Sequence, residues 1–93
     1  MGKHTVLGWS TVAKSWREAY AIGVEGTNIS NVINVAGQPD SKLNLGDTVV
    51  MTWESSEWKG FLRGGTIVRK MVFVVKEGVI VSRSSENLDR IAM

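Results

Sequence analysis

A chain of 93 residues, 43% hydrophobic and 22% charged, has the make-up of one small folded domain and not of a disordered tail. Cysteine is absent, which excludes disulfides, thiolate chemistry, zinc ribbons and iron–sulfur sites. The net charge of +2 hides an asymmetry: residues 59–83 hold six basic side chains (Lys59, Arg63, Arg69, Lys70, Lys76, Arg83) against one acid, Glu77. Residues 1–58 hold six acids against four bases. So basic a segment points toward an anionic partner.

No apolar run approaches the ~18 residues of a membrane helix, and MGKHTVLGWS lacks a signal-peptide core. The expectation is a cytoplasmic protein with no membrane partner. Val6 stands where a myristoylation pattern wants Ser or Thr, and the sequon Asn28-Ile29-Ser30 is read as coincidence.

In chain order, Thr5 to Trp9 reads as a strand. Residues 15–25 admit two readings. Ser15 followed by Glu18 is a capping-box pattern, and Val12, Trp16, Ala19 and Tyr20 would share one face of a short helix near 11–21. As a strand, Trp16, Tyr20, Ile22 and Val24 fall on one side, and Gly23 and Val24 are weak helix residues. The strand is preferred, with a turn at Gly26-Thr27-Asn28 and a second β-rich run, ISNVINVAG, completing an N-terminal hairpin within residues 1–36. Residues 37–42, around the lone Pro39, read as a loop.

From there the pattern is clearer. Val49, Met51 and Trp53 alternate with Thr48, Val50 and Thr52 as in a half-buried strand. Glu54 to Glu57 reads as a polar turn, Trp58 to Leu62 as the next strand, and Gly64-Gly65 as a turn or bulge. Thr66 to Lys76 is a long strand in which Met71 to Val75 is apolar on both faces. Such a strand must be covered twice, by the rest of a barrel or by another subunit. Glu77-Gly78 turns the chain into Val79-Ile80-Val81, and SSENLDRI closes it with a short helical turn.

Residues 43–93 resemble a small SH3-like barrel. Gly46-Asp47-Thr48-Val49 is similar to the "GD-x-V" opening strand of such barrels, Glu57-Trp58-Lys59-Gly60 to their tryptophan-bearing second strand, and Asn87 to Ile91 to their closing turn. Tudor-like domains, KOW modules and the plasmid-type dihydrofolate reductases share this grammar. The reductases' Val-Gln-Ile-Tyr segment is replaced here by Val79-Ile80-Val81-Ser82, so folate reduction is not implied. A Tudor-type aromatic cage would draw on Trp53, Trp58 and Phe61. Lys59-Gly60-Phe61 and Val72 to Val75 resemble the base-stacking strands of the cold-shock OB-fold, with Arg63 and Val75 departing from that pattern. The fold expected is therefore all-β, a single domain over 1–93: a small SH3-like or OB-like barrel extended by the N-terminal hairpin.

Catalysis has little to work with. The sole histidine is His4, and Glu54 and Glu57, the closest acidic pair, read as solubilising charges in a turn. Gly60 and Gly64-Gly65 do not make a phosphate loop, because no Gly-Lys-Ser/Thr follows. No catalytic residue, metal or cofactor is expected. The feature above background is the interleaving of cations and aromatics, in which Lys59, Phe61 and Arg63 alternate and Arg69 and Lys70 follow. Cations neutralise phosphates and aromatic faces stack on bases at about 1–3 kcal/mol each. The expectation is a non-catalytic module that binds RNA or single-stranded DNA through Trp58, Lys59, Phe61, Arg63, Arg69 and Lys70. The alternative is a protein-interaction or assembly component, such as a viral or accessory structural subunit or an inhibitor of a host factor, with a homo-oligomer forming through residues 71–75 and the four tryptophans as anchors.

Overall fold

Asn28 and Gly37 bracket eight residues and set the N-terminal architecture. The Asn28 side chain accepts a hydrogen bond from the Ser30 backbone N–H (2.8 Å), and the Gly37 N–H returns to the Ile33 carbonyl (2.8 Å) with φ +85° at the glycine. Between these caps the chain is helical. The computed structural model describes residues 9–58 and 66–88. Two helices come first, α1 (Trp9–Ile22) and α2 (Ile29–Ala36), followed by β1 (Ser41–Leu45), β2 (Thr48–Trp58), β3 (Thr66–Lys76) and β4 (Val79–Glu86). The strands form one antiparallel sheet in the order β1-β2-β3-β4, a meander that stays open.

The all-β SH3-like or OB-like barrel is thus overturned: the protein is α+β. The N-terminal hairpin is replaced by two helices, and residues 15–22 take the helical reading. The burial pattern gives the reason. Trp16 and Ala19 are buried and Tyr20 is half-buried, whereas Ile22 and Val24 are 41% and 45% exposed, which is a helical and not a period-two distribution. In α2, Ile29 and Val32 are buried with Ile33 and Ala36 packed beside them, so β-branched residues supply an apolar helix stripe despite their strand propensity. Tertiary packing and two good caps outweigh propensity here.

Two further corrections concern the sheet. Glu54 to Glu57 is not a turn; β2 runs straight through it to Trp58. The Gly46-Asp47 pair does not open a barrel strand. It is the two-residue connection between Leu45 and Thr48, with φ +71° at Gly46, so β1 begins at Ser41 inside the expected loop. The bounds expected for β3 are those observed, and Glu77-Gly78, both at positive φ (+54° and +81°), makes the tight turn into β4. β4 continues to Glu86, beyond the three residues expected for it. Of the strand expected over Thr5 to Trp9, only Trp9 is described, and it opens α1. Ser84 to Glu86, expected in the closing helical turn, belong to β4, while residues 89–91 of that turn, Gly64-Gly65 and residues 59–62 of the strand expected from Trp58 lie outside the described residues.

One face of the sheet carries the core. Met51 and Trp53 of β2 stand opposite Phe73 and Met71 of β3 in the register, and all four are buried with Val75, Ile80, Leu88 and the helix residues Trp16, Ala19, Ile29 and Val32. The Trp53 and Phe73 rings meet edge to face at 5.6 Å, Tyr20 lies tilted against Phe73 at 5.9 Å, and Trp53 Nε1 donates to the Gly37 carbonyl (3.1 Å). The connection between the helices is stitched to β4: Gly26 N–H donates to Ile80 O, Ile80 N–H to Thr27 O, and Ile29 N–H to Gly78 O. A bulge at Val74/Val75 leaves Val81 as the extra residue of β4.

Gly23 is where α1 must come closest to the sheet. A Cβ at this position would sit 2.6 Å from Val32 Cγ2 and 2.7 Å from Phe73 Cε2. Gly23→Ala should therefore lower stability by about 1–3 kcal/mol through overpacking. Urea unfolding followed by tryptophan fluorescence checks it: the midpoint should fall with little change in slope, and an unchanged midpoint would mean that α1 is not held this close.

Candidate interaction surface

The residues expected to bind nucleic acid are not brought together among the described part of the molecule. Lys59, Phe61 and Arg63 lie outside the described residues, in the connection between β2 and β3. Trp58 is the last residue of β2, paired in the register with Thr66. Arg69 and Lys70 stand on opposite faces of β3, as their adjacency requires. Arg69 is on the core side and 0% exposed, so a phosphate at the surface does not reach it. Lys70 is on the other side, flanked in the register by Glu54 of β2 and Glu86 of β4.

The remaining cations of the basic segment are engaged in the same way. Lys76 Nζ lies 3.7 Å from Asp47 Oδ2. The Arg83 guanidinium rests over the Tyr20 ring, 4.3 Å from its centroid, and donates to the Tyr20 carbonyl. The positive charge that stands out in the sequence is, for the described residues, divided between the core, two cross-strand acids, a turn aspartate and an aromatic face.

A different surface emerges from the register. Both helices pack on the core face, so the opposite face of the sheet is uncovered among the described residues. Cross-strand partners define its rows. Glu54, Lys70 and Glu86 lie at one end. Thr52, Val72 and Ser84 come next, then Leu43, Val50, Val74 and Ser82. Leu45, Thr48, Lys76 and Val79 form the far end. Leu43 and Leu45 are 57% and 55% exposed, Val79 is 37% exposed, and Val50, Val72 and Val74 are half-buried. A contiguous apolar strip with polar ends on an open sheet face is the kind of patch that marks an interaction site. Lys70, Val72, Ser84 and Glu86 also line a shallow groove on this side.

The sheet's edges are managed at two points. The Asp40 N–H donates to the Thr52 carbonyl (2.8 Å) and its carboxylate accepts from the Glu54 N–H (2.7 Å), extending the β1 edge past Ser41 without a further strand residue. On the other side the Asn87 side-chain amide donates to the Val68 carbonyl (2.8 Å), doing the same beyond the end of β4. Past these points, among the described residues, β2 and β3 pair only with each other, from Ser56 opposite Val68 to Trp58 opposite Thr66.

The sequence reading missed the part that β1 plays in this face. The signal was there: Leu43 and Leu45 alternate with Lys42 and Asn44 directly before a Gly-Asp pair, which is a strand followed by a hairpin turn. Among the described residues no three His, Asp or Glu side chains gather where they would hold a metal ion, and no helix is long and apolar enough to cross a membrane. No family model, no curated protein and no solved structure matches the chain.

Arg83 joins β4 to α1, and its role is structural in this geometry. Arg83→Gln should cost about 1–2 kcal/mol of stability, from the lost contact with the Tyr20 ring and the lost donor to its carbonyl. Thermal unfolding by circular dichroism measures the loss; an unchanged midpoint would show that α1 is anchored without it.

Proposed function

We propose that the chain is a non-catalytic protein-interaction module whose working surface is the uncovered face of its sheet. The observation that carries this reading is the apolar strip of Leu43, Leu45, Val50, Val72, Val74 and Val79, which no described element covers. Sheet faces left open to water normally alternate to polar residues. Here the serines and threonines are confined to part of each row, and the centre of the face stays aliphatic. If these side chains serve binding and not folding, their replacement leaves the isolated fold nearly intact. Val72→Thr with Val74→Thr should change the unfolding free energy of dilute protein by less than about 1 kcal/mol. Val75→Thr on the core face should cost at least twice that. Urea titration of the two variants separates them, and comparable losses would reassign the outer valines to the folding core.

A second reading has one observation in its favour. The β2–β3 ribbon continues past both neighbouring strands, and the connection at its end carries Lys59, Phe61 and Arg63. The residue types of that connection suit a contact with single-stranded nucleic acid, in which cations meet phosphates and an aromatic ring meets a base. On the first reading, fluorescence anisotropy of labelled single-stranded DNA and RNA at low salt finds an affinity that Lys59→Ala with Arg63→Ala changes by less than about threefold. Tight, steeply salt-dependent binding that is lost in this double variant would put the second reading in its place.

A further inference from the structure

We infer that the occupant of the uncovered sheet face is a second copy of the same chain, packed face to face so that two helix-backed sheets form one four-layer sandwich. The inference rests on the reading of that face as the interaction surface and specifies its partner. It follows from where the register places charge and apolar side chains. On this face β2 carries the acid Glu54, and β3 carries the bases Lys70 and Lys76. Glu54 is level with Lys70, Val50 with Val74, and Thr48 with Lys76.

Consider a two-fold axis that runs along the strands, between β2 and β3. It lays β2 of one copy over β3 of the other at the same level, and β1 over β4. Glu54 then faces the partner's Lys70, and Lys70 faces the partner's Glu54, in a symmetric pair of opposite charges. Val50 faces the partner's Val74, twice over, at the centre. Leu45, level with Val79 through Thr48 and Lys76, meets the partner's Val79 at the far end. The other two-fold that stacks the faces runs across the strands. It lays β3 on β3 and brings Lys70 toward the partner's Lys76, a like-charge contact that opposes association. The isologous pairing required of a dimer is therefore satisfied by one axis and resisted by the other.

Size sets the strength of this pairing. Four strands about 4.8 Å apart and about five residues long give a face of roughly 19 by 17 Å, and two such faces cover about 650 Å² in total. That is below the ~1,000 Å² of a stable specific interface, so the dimer is weak and concentration-dependent. Sheets packed at about 10 Å and near −30° keep the central valines and the Glu54–Lys70 pairs in contact while the corners diverge. The pairing also gives β3 its second cover: Met71, Phe73 and Val75 are covered by the chain's own helices, and Val72 and Val74 by the partner.

Sedimentation velocity of the full chain, from about 5 to about 500 µM, tests the inference in the range where a small interface dissociates. The expected result is a monomer–dimer equilibrium. Val74→Glu should raise the dissociation constant at least about thirtyfold by burying an unpaired charge. Glu54→Lys and Lys70→Glu should each weaken the dimer about tenfold, and the two together should restore it to within about threefold, because both pairs reverse at once. Circular dichroism confirms that each variant is folded. A dimer indifferent to all these changes would overturn both the pairing and the choice of surface. A wild-type monomer throughout the range would overturn the dimer, and the apolar dye ANS then tells what else falls. Dye uptake that Val74→Glu abolishes leaves the interaction reading of the face standing, and absence of uptake overturns that reading as well.

Discussion

The packing of Phe73 is the contact on which the rest of the molecule depends. Its ring takes the edge of Trp53 from the neighbouring strand, the tilted face of Tyr20 from α1, and the bare backbone of Gly23 where α1 ends. Trp53 in turn fixes the far end of α2 by donating to the Gly37 carbonyl. Through these contacts one aromatic side chain in the middle of β3 locates both helices on the sheet. Buried aromatic pairs contribute about 0.5–1.5 kcal/mol beyond their area, and here they also set geometry. Once α1 and α2 have claimed this face, the sheet has no helix left among the described elements for the other.

That commitment determines how the charge of the chain is spent. Residues on β3 alternate between the two faces, so adjacent cations cannot act together: Arg69 goes into the core and Lys70 out to a row shared with Glu54 and Glu86. Arg83, on the core side of β4, is drawn over Tyr20. Each of these placements is a consequence of strand parity and pairing. A net charge counted along a segment predicts an anionic partner only when the side chains share a surface, and along an antiparallel strand half of them do not.

The two faces of the sheet show why an amphipathic strand and a doubly apolar one lead to different outcomes. The core face is aromatic and large, and it is sealed by helices. The outer face is aliphatic and shallow, with serine and threonine interleaved, so it remains compatible with water while offering a contact that is modest in area. Past the ends of β1 and β4, the Asp40 and Asn87 side chains satisfy backbone groups of the inner strands β2 and β3.

The sequence by itself determined β3 from Thr66 to Lys76, the alternating start of β2 from Thr48 to Trp53, the turn at Glu77-Gly78 and the doubly apolar character of Met71 to Val75, because period-two alternation and turn residues are local signals that survive without context. It also held the caps of α2, Asn28 and Gly37, and the alternation in β1, which were legible but were outweighed by the β-branched composition of ISNVINV and by the proline-centred loop. What only the tertiary structure decided is which residues share a surface. The open sheet in place of a barrel depends on helices that occupy one of its faces, and that docking leaves no mark in any short window. The burial of Arg69, the flanking of Lys70 by two acids and the matching of Glu54 with Lys70 across the sheet all follow from register. Register is fixed by how the whole chain packs and not by the residues that happen to be neighbours in it.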